Sequence, residues 1–334
     1  MKSDAPTVAG PYFEDLESGP FPASAPALTL TDGLAALHRS IVGGRMLLAL
    51  DAELSRRVIG ATLASPVLVW DVAIGQSTLV TQRVIANLFY KQFMFLRLPC
   101  IGDTLHTATE IVALRQNRAR EGRAATGLAV MRIRTRDQAG RPVLDFYRCA
   151  MLPLRDAKGW TGRQDDLESI PSTLDPELLR GAIKGWRLEE FRSAVPGQHF
   201  EGLIPNTVWE ITGGDLVSSA PELARMTLNV AMVHHDARAN AGGRLVYGGH
   251  TIGIAAAQAT RALPNLLAIV AWHSCDHLAP VREGDTLRST LALEACEPLP
   301  GGGGLVHLRS RVRADREGTD PQDVLDWRFV GVMA

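Results

Sequence analysis

Two hydrophobic patterns follow one another along the chain, and they do so twice. Leu305-Val306-His307-Leu308-Arg309-Ser310-Arg311-Val312-Arg313 alternates clearly, and Leu128-Ala129-Val130-Met131-Arg132-Ile133-Arg134-Thr135 alternates in its second half. Both predict half-buried antiparallel strands, since successive strand side chains point to opposite faces. Asp137-Gln138-Ala139-Gly140 has the composition of a hairpin turn leading into Val143–Tyr147, and Gly301–Gly304 that of a loop. Ahead of the strands, each half predicts a short strand (Tyr12–Leu16; Phe200–Leu203), a helix (Asp32–Ile41; Pro221–Val233), a loop and an apolar helix (Ile74–Asn87; Thr251–Arg261).

The halves also share residues. Phe13 in Tyr12-Phe13-Glu14-Asp15-Leu16 is echoed 187 residues later by Phe200 in His199-Phe200-Glu201-Gly202-Leu203. Gly102-Asp103-Thr104-Leu105 recurs as Gly284-Asp285-Thr286-Leu287 at an offset of 182, and Val143-Leu144-Asp145-Phe146 as Val324-Leu325-Asp326-Trp327 at 181. Three echoes in one order at a nearly constant offset indicate an internal repeat. The chain therefore reads as residues 1–153, a charged connector 154–185 with a helical stretch at Pro176–Ile183, and residues 186–334. One helix followed by long antiparallel strands predicts an α+β fold, a sheet wrapped around a central helix, in each copy.

Composition narrows the function. Of 334 residues, 46% are hydrophobic and 21% charged, enough to bury a core. A net charge of −1 without a basic block argues against a nucleic-acid surface. Ala119-Arg120-Glu121-Gly122-Arg123 reads as a solvated loop. The stretch MKSDAPTVAGPYFEDLESG lacks an apolar leader core, and no apolar run is long enough to cross a bilayer. Cys100, Cys149, Cys275 and Cys296 form no C-x-x-C pair, so neither a zinc site nor a disulfide framework is expected, and a reducing cytoplasm is the default compartment.

The candidate chemistry is concentrated in Leu223–Arg261. Asn229, His234, His235, Asp236 and His250 lie there beside Gly242-Gly243 and Gly248-Gly249, and the second glycine pair opens a helix. Glycines ahead of a helix let backbone N–H groups approach an oxygen, with the helix dipole behind them. A histidine beside such a turn can move protons near neutral pH. His235 points differently on a helix and reads as structural or as a support behind the site. His273 and His277 are spaced for a metal pair on a helix, but their context predicts a strand or its end, so no metal is expected.

These residues resemble the MaoC-like double hotdog acyl-CoA dehydratases, whose motif is D-x-N-P-x-H-x-D followed by a glycine-bearing turn. Asn229 stands at the first position, Ala231 and Met232 at the N-P pair, His234 at the histidine, and Asp236 at the last aspartate. Gly248-Gly249 stand at the turn, and Pro280-Val281-Arg282-Glu283-Gly284-Asp285-Thr286-Leu287 fits the family's P-V-x-x-G-D-x-L. Within the family the chain is similar to the mesaconyl-CoA hydratases (β-methylmalyl-CoA dehydratases), through 245–253, 272–277 and Asp71–Thr78.

The resemblance implies two fused hotdogs, a CoA-thioester substrate, no cofactor, and a monomeric pseudo-dimer or a homodimer. At the motif spacing the first copy has Gly44, Ala49 and Asp51, so it is expected to be catalytically silent and to shape the pocket. His234 would activate water, Asn229 would hold it, and the backbone N–H near Gly249 would take the charge of the thioester oxygen. Gly248, Asp236 and His250 would adjoin the substrate. Arg244, Gln76 and Ser77 are candidates for the free carboxylate of a dicarboxylic acyl group. An (R)-specific hydratase of other acyl chains, a hotdog thioesterase and a non-catalytic acyl-CoA-binding module stay open beside mesaconyl-CoA hydration.

Overall fold

Eight long strands carry the architecture of the computed structural model, which describes residues 8–118, 122–240 and 242–334. The first seven residues, and most of the loop at 119–123, lie outside the described residues. The first copy supplies β1 (Gly19–Pro20), β2 (Leu28–Thr29), β3 (Ala86–Phe95), β4 (Thr104–Gln116), β5 (Thr126–Arg136) and β6 (Pro142–Pro153). The second supplies β7 (Val208–Glu210), β8 (Asp215–Leu216), β9 (Leu266–His277), β10 (Thr286–Pro298), β11 (Gly304–Asp315) and β12 (Gln322–Met333). All ladders are antiparallel, in the order β1-β4-β5-β6-β3-β9-β12-β11-β10-β7, with β2 on β4 and β8 on β10. The β3–β9 pairing, Phe93 with Trp272 and Met94 with Ala271, joins the copies into one sheet. This is a double hotdog of the α+β class.

The alternation has the expected cause. In β11, Val306, Leu308, Ser310 and Val312 are buried on one face, while Arg309, Arg311 and Arg313 on the other reach solvent or carboxylates. From the first copy, α3 (Pro66–Gln76) packs on the inner face, while α1 (Asp32–Val42) packs on helices of the second copy and α2 (Ala52–Ile59) on a connector helix. The connector helices α4 (Pro176–Ala182) and α5 (Leu188–Ala194) precede α6 (Ala220–Met226) and α7 (Gly248–Ala262) of the second copy. Where the two halves of the sheet meet, the rings of Phe93 and Trp272 stack at 3.7 Å, with Trp70 and Trp327 edge-on to Trp272.

Four expected elements differ. The segments Tyr12–Leu16 and Phe200–Leu203 are not strands but 3₁₀ turns, Phe13–Asp15 and Phe200–Gly202. Each lays its phenylalanine ring over a glycine at the start of a strand, Gly127 and Gly304, where a Cβ would meet the ring at 2.4 and 2.1 Å. The repeat is thus a plug, and its sequence echo is the echo of a packing contact. The apolar helix of the first copy is Pro66–Gln76, not Ile74–Asn87, because all eleven of its residues are buried and no polar face marks its ends. Pro66 at its first turn marks the start. The helix expected over Pro221–Val233 stops at Met226. Leu228 then takes a left-handed φ of 60°, and the following backbone lies against α3.

Candidate active site

The turn that carries Asn229 and His234 is built on the first copy. A Cβ at Gly75 of α3 would lie 1.8 Å from the Thr227 carbonyl oxygen, so only glycine lets the helix and this backbone touch. Just beyond α3, the Thr78 hydroxyl accepts the Val230 N–H (2.9 Å) and the Gln82 carbonyl accepts the Met232 N–H (2.8 Å). Within the turn, Asn229 Oδ1 accepts the Ala231 N–H at 3.0 Å, and its backbone oxygen pairs with His235 Nε2 at 2.6 Å. His235 thus closes the turn onto its own backbone.

His234 ends the 3₁₀ turn Met232–His234. Its Nδ1 lies 3.0 Å from the Leu245 carbonyl oxygen. A carbonyl only accepts, so Nδ1 carries the proton and Nε2 keeps its lone pair. Burial, opposed by that hydrogen bond, holds the ring down at about 4, and it is neutral at pH 7. His234 lines a cavity of about 330 Å³ with Ala220, Pro221, Leu245 and Val246, and with Arg244 and Arg282 among its charged residues.

The other candidates fall in different places. Gly249 and Gly248 open α7, and each is glycine for a packing reason. A Cβ on Gly249 would meet Asp71 Oδ1 at 2.0 Å, and one on Gly248 would meet His277 Nε2 at 2.6 Å. His250 is fully buried in the core with both ring nitrogens unpartnered, and does not line the cavity. Asp236 is a local cap: it accepts the Arg238 N–H and pairs with the Arg238 side chain. Asp51 caps α2 in the same way. Arg244 borders the cavity but is paired with Glu283 at 3.2 Å.

Two expectations for the free carboxylate are corrected. Gln76 Nε2 donates to the carbonyls of Pro26 and Leu105, and Oε1 accepts from Thr107. Its repeat mate Gln258 does the same with Asp215, Leu287 and Ser289, so both glutamines tie a central helix to its sheet. Ser77 donates to the Ile74 carbonyl, closing the end of α3. Neither side chain is free for a ligand.

A second polar cluster is centred on Asp71. Asp71 of α3, wholly buried, pairs through Oδ2 with His38 Nε2 of α1 at 2.9 Å, while Oδ1 has no partner. Burial pushes its carboxyl up, against the pull of His38. The Tyr247 hydroxyl donates to the Asp71 carbonyl at 3.4 Å, and its ring lies edge-on to His234 at 5.7 Å. A buried aspartate in an apolar helix, Val69-Trp70-Asp71-Val72, was the available signal. His273 turns to His307 (2.9 Å) while His277 lies on Gly248, so that histidine pair does not converge. Among the described residues no group of three or more His, Cys, Asp or Glu could hold a metal ion.

Three histidines, His234, His250 and His277, are held at about 4 chiefly by burial. The unfolded chain binds their protons from about pH 6.5 and the folded chain only near 4. The stability they contribute is full above pH 6.5 and drains away as the pH falls towards 4. Urea unfolding across that window should show a steep fall. A flat profile would mean that the rings are protonated in the fold.

No family model matches the chain. Two curated relatives do. A mesaconyl-CoA hydratase of Cereibacter sphaeroides is 28% identical over 330 residues, covering 94% of this chain and 92% of the relative. A beta-methylmalyl-CoA dehydratase of Chloroflexus aurantiacus is 26% identical over 359 residues, covering 98% of each. Among solved structures, a conserved hypothetical protein of Mycobacterium tuberculosis with a double hotdog fold is 51% identical, with a TM-score of 0.89 over 97% of this chain and 99% of that one. A MaoC domain protein of Chloroflexus aurantiacus has a TM-score of 0.84 at 24% identity, covering 99% of each, which is likeness of fold alone. No helix among the described residues is long and apolar enough to cross a membrane.

Proposed function

We propose that this double hotdog protein, similar over nearly its whole length to a mesaconyl-CoA hydratase and a beta-methylmalyl-CoA dehydratase, is a MaoC-like hydratase that adds water reversibly to the double bond of an enoyl-CoA thioester. Mesaconyl-CoA, giving β-methylmalyl-CoA, is the best substrate. The observation that carries this reading is His234: a neutral imidazole, oriented through Nδ1 by the Leu245 carbonyl, on the wall of a cavity.

Each residue then has a task. Nε2 of His234 takes a proton from water as the water oxygen bonds to the β-carbon, and the same ring returns that proton to the α-carbon. Asn229 is an amide and cannot serve as a base. Its Oδ1 is held by the Ala231 N–H, so its NH₂ is the part that orients the water. The thioester oxygen gathers charge and is assigned to the N–H of Gly249, in the first turn of α7, where N–H groups have no intrahelical acceptor. Arg282 lines the same cavity. Its guanidinium donates to the Arg244 carbonyl and pairs with no carboxylate among the described residues, which suits a CoA phosphate.

In this reading residues 1–153 and 186–334 are the two hotdogs, joined by 154–185. The protein works in the cytoplasm without a cofactor, as a pseudo-dimeric monomer or a homodimer. The test is loss of enoyl-thioester absorbance with purified protein, mesaconyl-CoA and crotonyl-CoA being offered separately. Turnover of mesaconyl-CoA with no free thiol released is the expected result. Thiol release would make the protein a thioesterase, and tight binding without turnover would make it an acyl-CoA-binding module.

A further inference from the structure

Arg148 is the least expected side chain of the core. It lies on β6, opposite Tyr90 of β3 and Met131 of β5, and is 1% exposed. Nη2 donates to the Thr81 hydroxyl at 2.9 Å, with the Ser77 carbonyl at 3.5 Å. Nε is buried without a partner. Among the described residues no carboxylate lies within ion-pair distance of it. Asp145, three residues earlier on the strand, pairs with Arg132, and buried Asp71 is committed to His38. A guanidinium withdrawn from water without a counter-ion is strongly unfavourable.

The repeat shows that the fold does not ask for this charge. Arg148 pairs with Tyr90 and Met131 where, in the second copy, Phe329 pairs with Trp272 and Leu308. Phe329 is fully buried and satisfies the same position with an apolar ring. Arginine on one copy only, on the inner face of the sheet, is a departure that packing does not explain.

We propose that Arg148 receives a second, free carboxylate on the acyl group of the CoA thioester, with Thr81 and Tyr90 beside it. This deepens the hydratase reading and rests on it for the position of the reacting carbons. Residues 77–82 connect the two places, since Ser77 and Thr81 meet Arg148 while Thr78 and Gln82 hold the turn that carries His234. The charge of Arg148 is also among the causes that hold His234 down and is felt by the Tyr247 phenol. A carboxylate seated at Arg148 would neutralise a buried charge that the protein itself leaves uncompensated. A monocarboxylic acyl chain of the same length would leave it bare, so the site selects by charge as well as by shape.

The test compares binding of succinyl-CoA and butyryl-CoA, saturated thioesters that differ in the terminal carboxylate, by titration calorimetry. It uses the unaltered protein and Arg148→Phe, which copies the second half. The unaltered protein should prefer succinyl-CoA by roughly 100-fold, and the variant should lose that preference while folding as well or better. Equal affinity in the unaltered protein, or a preference that survives in Arg148→Phe, overturns the proposal. So does free succinate binding as tightly as the thioester, which would make Arg148 a site for a separate anion. The comparison within the unaltered protein stands even if the variant fails to fold, and Arg148→Met then replaces it. Failure to hydrate either enoyl thioester, with the binding preference intact, would refute the hydratase reading and leave this one. Hydration without the preference would do the reverse.

Discussion

His234→Ala is expected to lower kcat/KM for the enoyl thioester by roughly 10²–10⁴-fold, the range for removing a general acid–base group. The alanine leaves the Leu245 carbonyl without its imidazole donor, but that carbonyl borders the cavity and can be met by water, so the stability cost should stay near 1 kcal/mol. A large kinetic loss on a nearly unchanged unfolding curve is the signature. The pH profile adds an independent check. Burial holds the ring at about 4, so the neutral form that accepts the proton of water persists well below pH 6.5. The acid limb of kcat/KM should fall near pH 4 in the unaltered protein, against about 6.5 for an unperturbed histidine. Hydration that survives in His234→Ala would remove the residue from the mechanism and turn attention to the Asp71–Tyr247 cluster.

Gly75→Ala should be the most damaging small substitution away from the reacting atoms. The new methyl would fall 1.8 Å from the Thr227 carbonyl oxygen and 3.2 Å from the Asn229 nitrogen. Both are backbone, and neither can swing aside as the end of a flexible side chain could. A stability loss of about 3 kcal/mol, at the upper end for overpacking, is expected in urea unfolding. Gly33→Ala in α1 is the control, because its Cβ would meet only Thr31 Oγ1 at 3.9 Å. That change should be neutral or stabilising by up to about 1 kcal/mol. The site is expected to suffer with the fold in Gly75→Ala. Forcing α3 away from Thr227 strains the contacts of Thr78 and Gln82 that hold the turn bearing Asn229 and His234. Equal unfolding curves for the two alanine variants would show that the copies are not held together there.

Under the proposed function the first copy is more than a silent remnant. It lacks the motif histidine, which is Ala49, and lacks a cavity of comparable size at the matching place. Yet it supplies the helix against which the turn bearing Asn229 and His234 is set, the buried Asp71 beside Gly249, and Arg148. Under the proposed function duplication frees one half from chemistry, and that half carries an arginine where the other carries Phe329.

Several features of this protein were legible in the sequence because their causes are local. Strand alternation follows from one buried face, so β5 and β11 were placed to within a few residues. The repeat was visible because Phe13 and Phe200 plug equivalent glycines, and equivalent contacts preserve equivalent residues. His234 was singled out by its spacing from Asn229 and the glycine turn, all within one short stretch. Other features depend on which residues meet across long separations, and no local pattern reports that. α3 was misplaced because a helix buried on every side has no polar stripe. Gln76 and Ser77 looked available to a ligand until the carbonyls of Pro26, Leu105 and Ile74 were found to use them. In the sequence Arg148 was one arginine among many. Only the folded sheet set it inward, with no carboxylate of the described residues within ion-pair distance, because burial and the want of a counter-ion are properties of the surroundings and not of the residue.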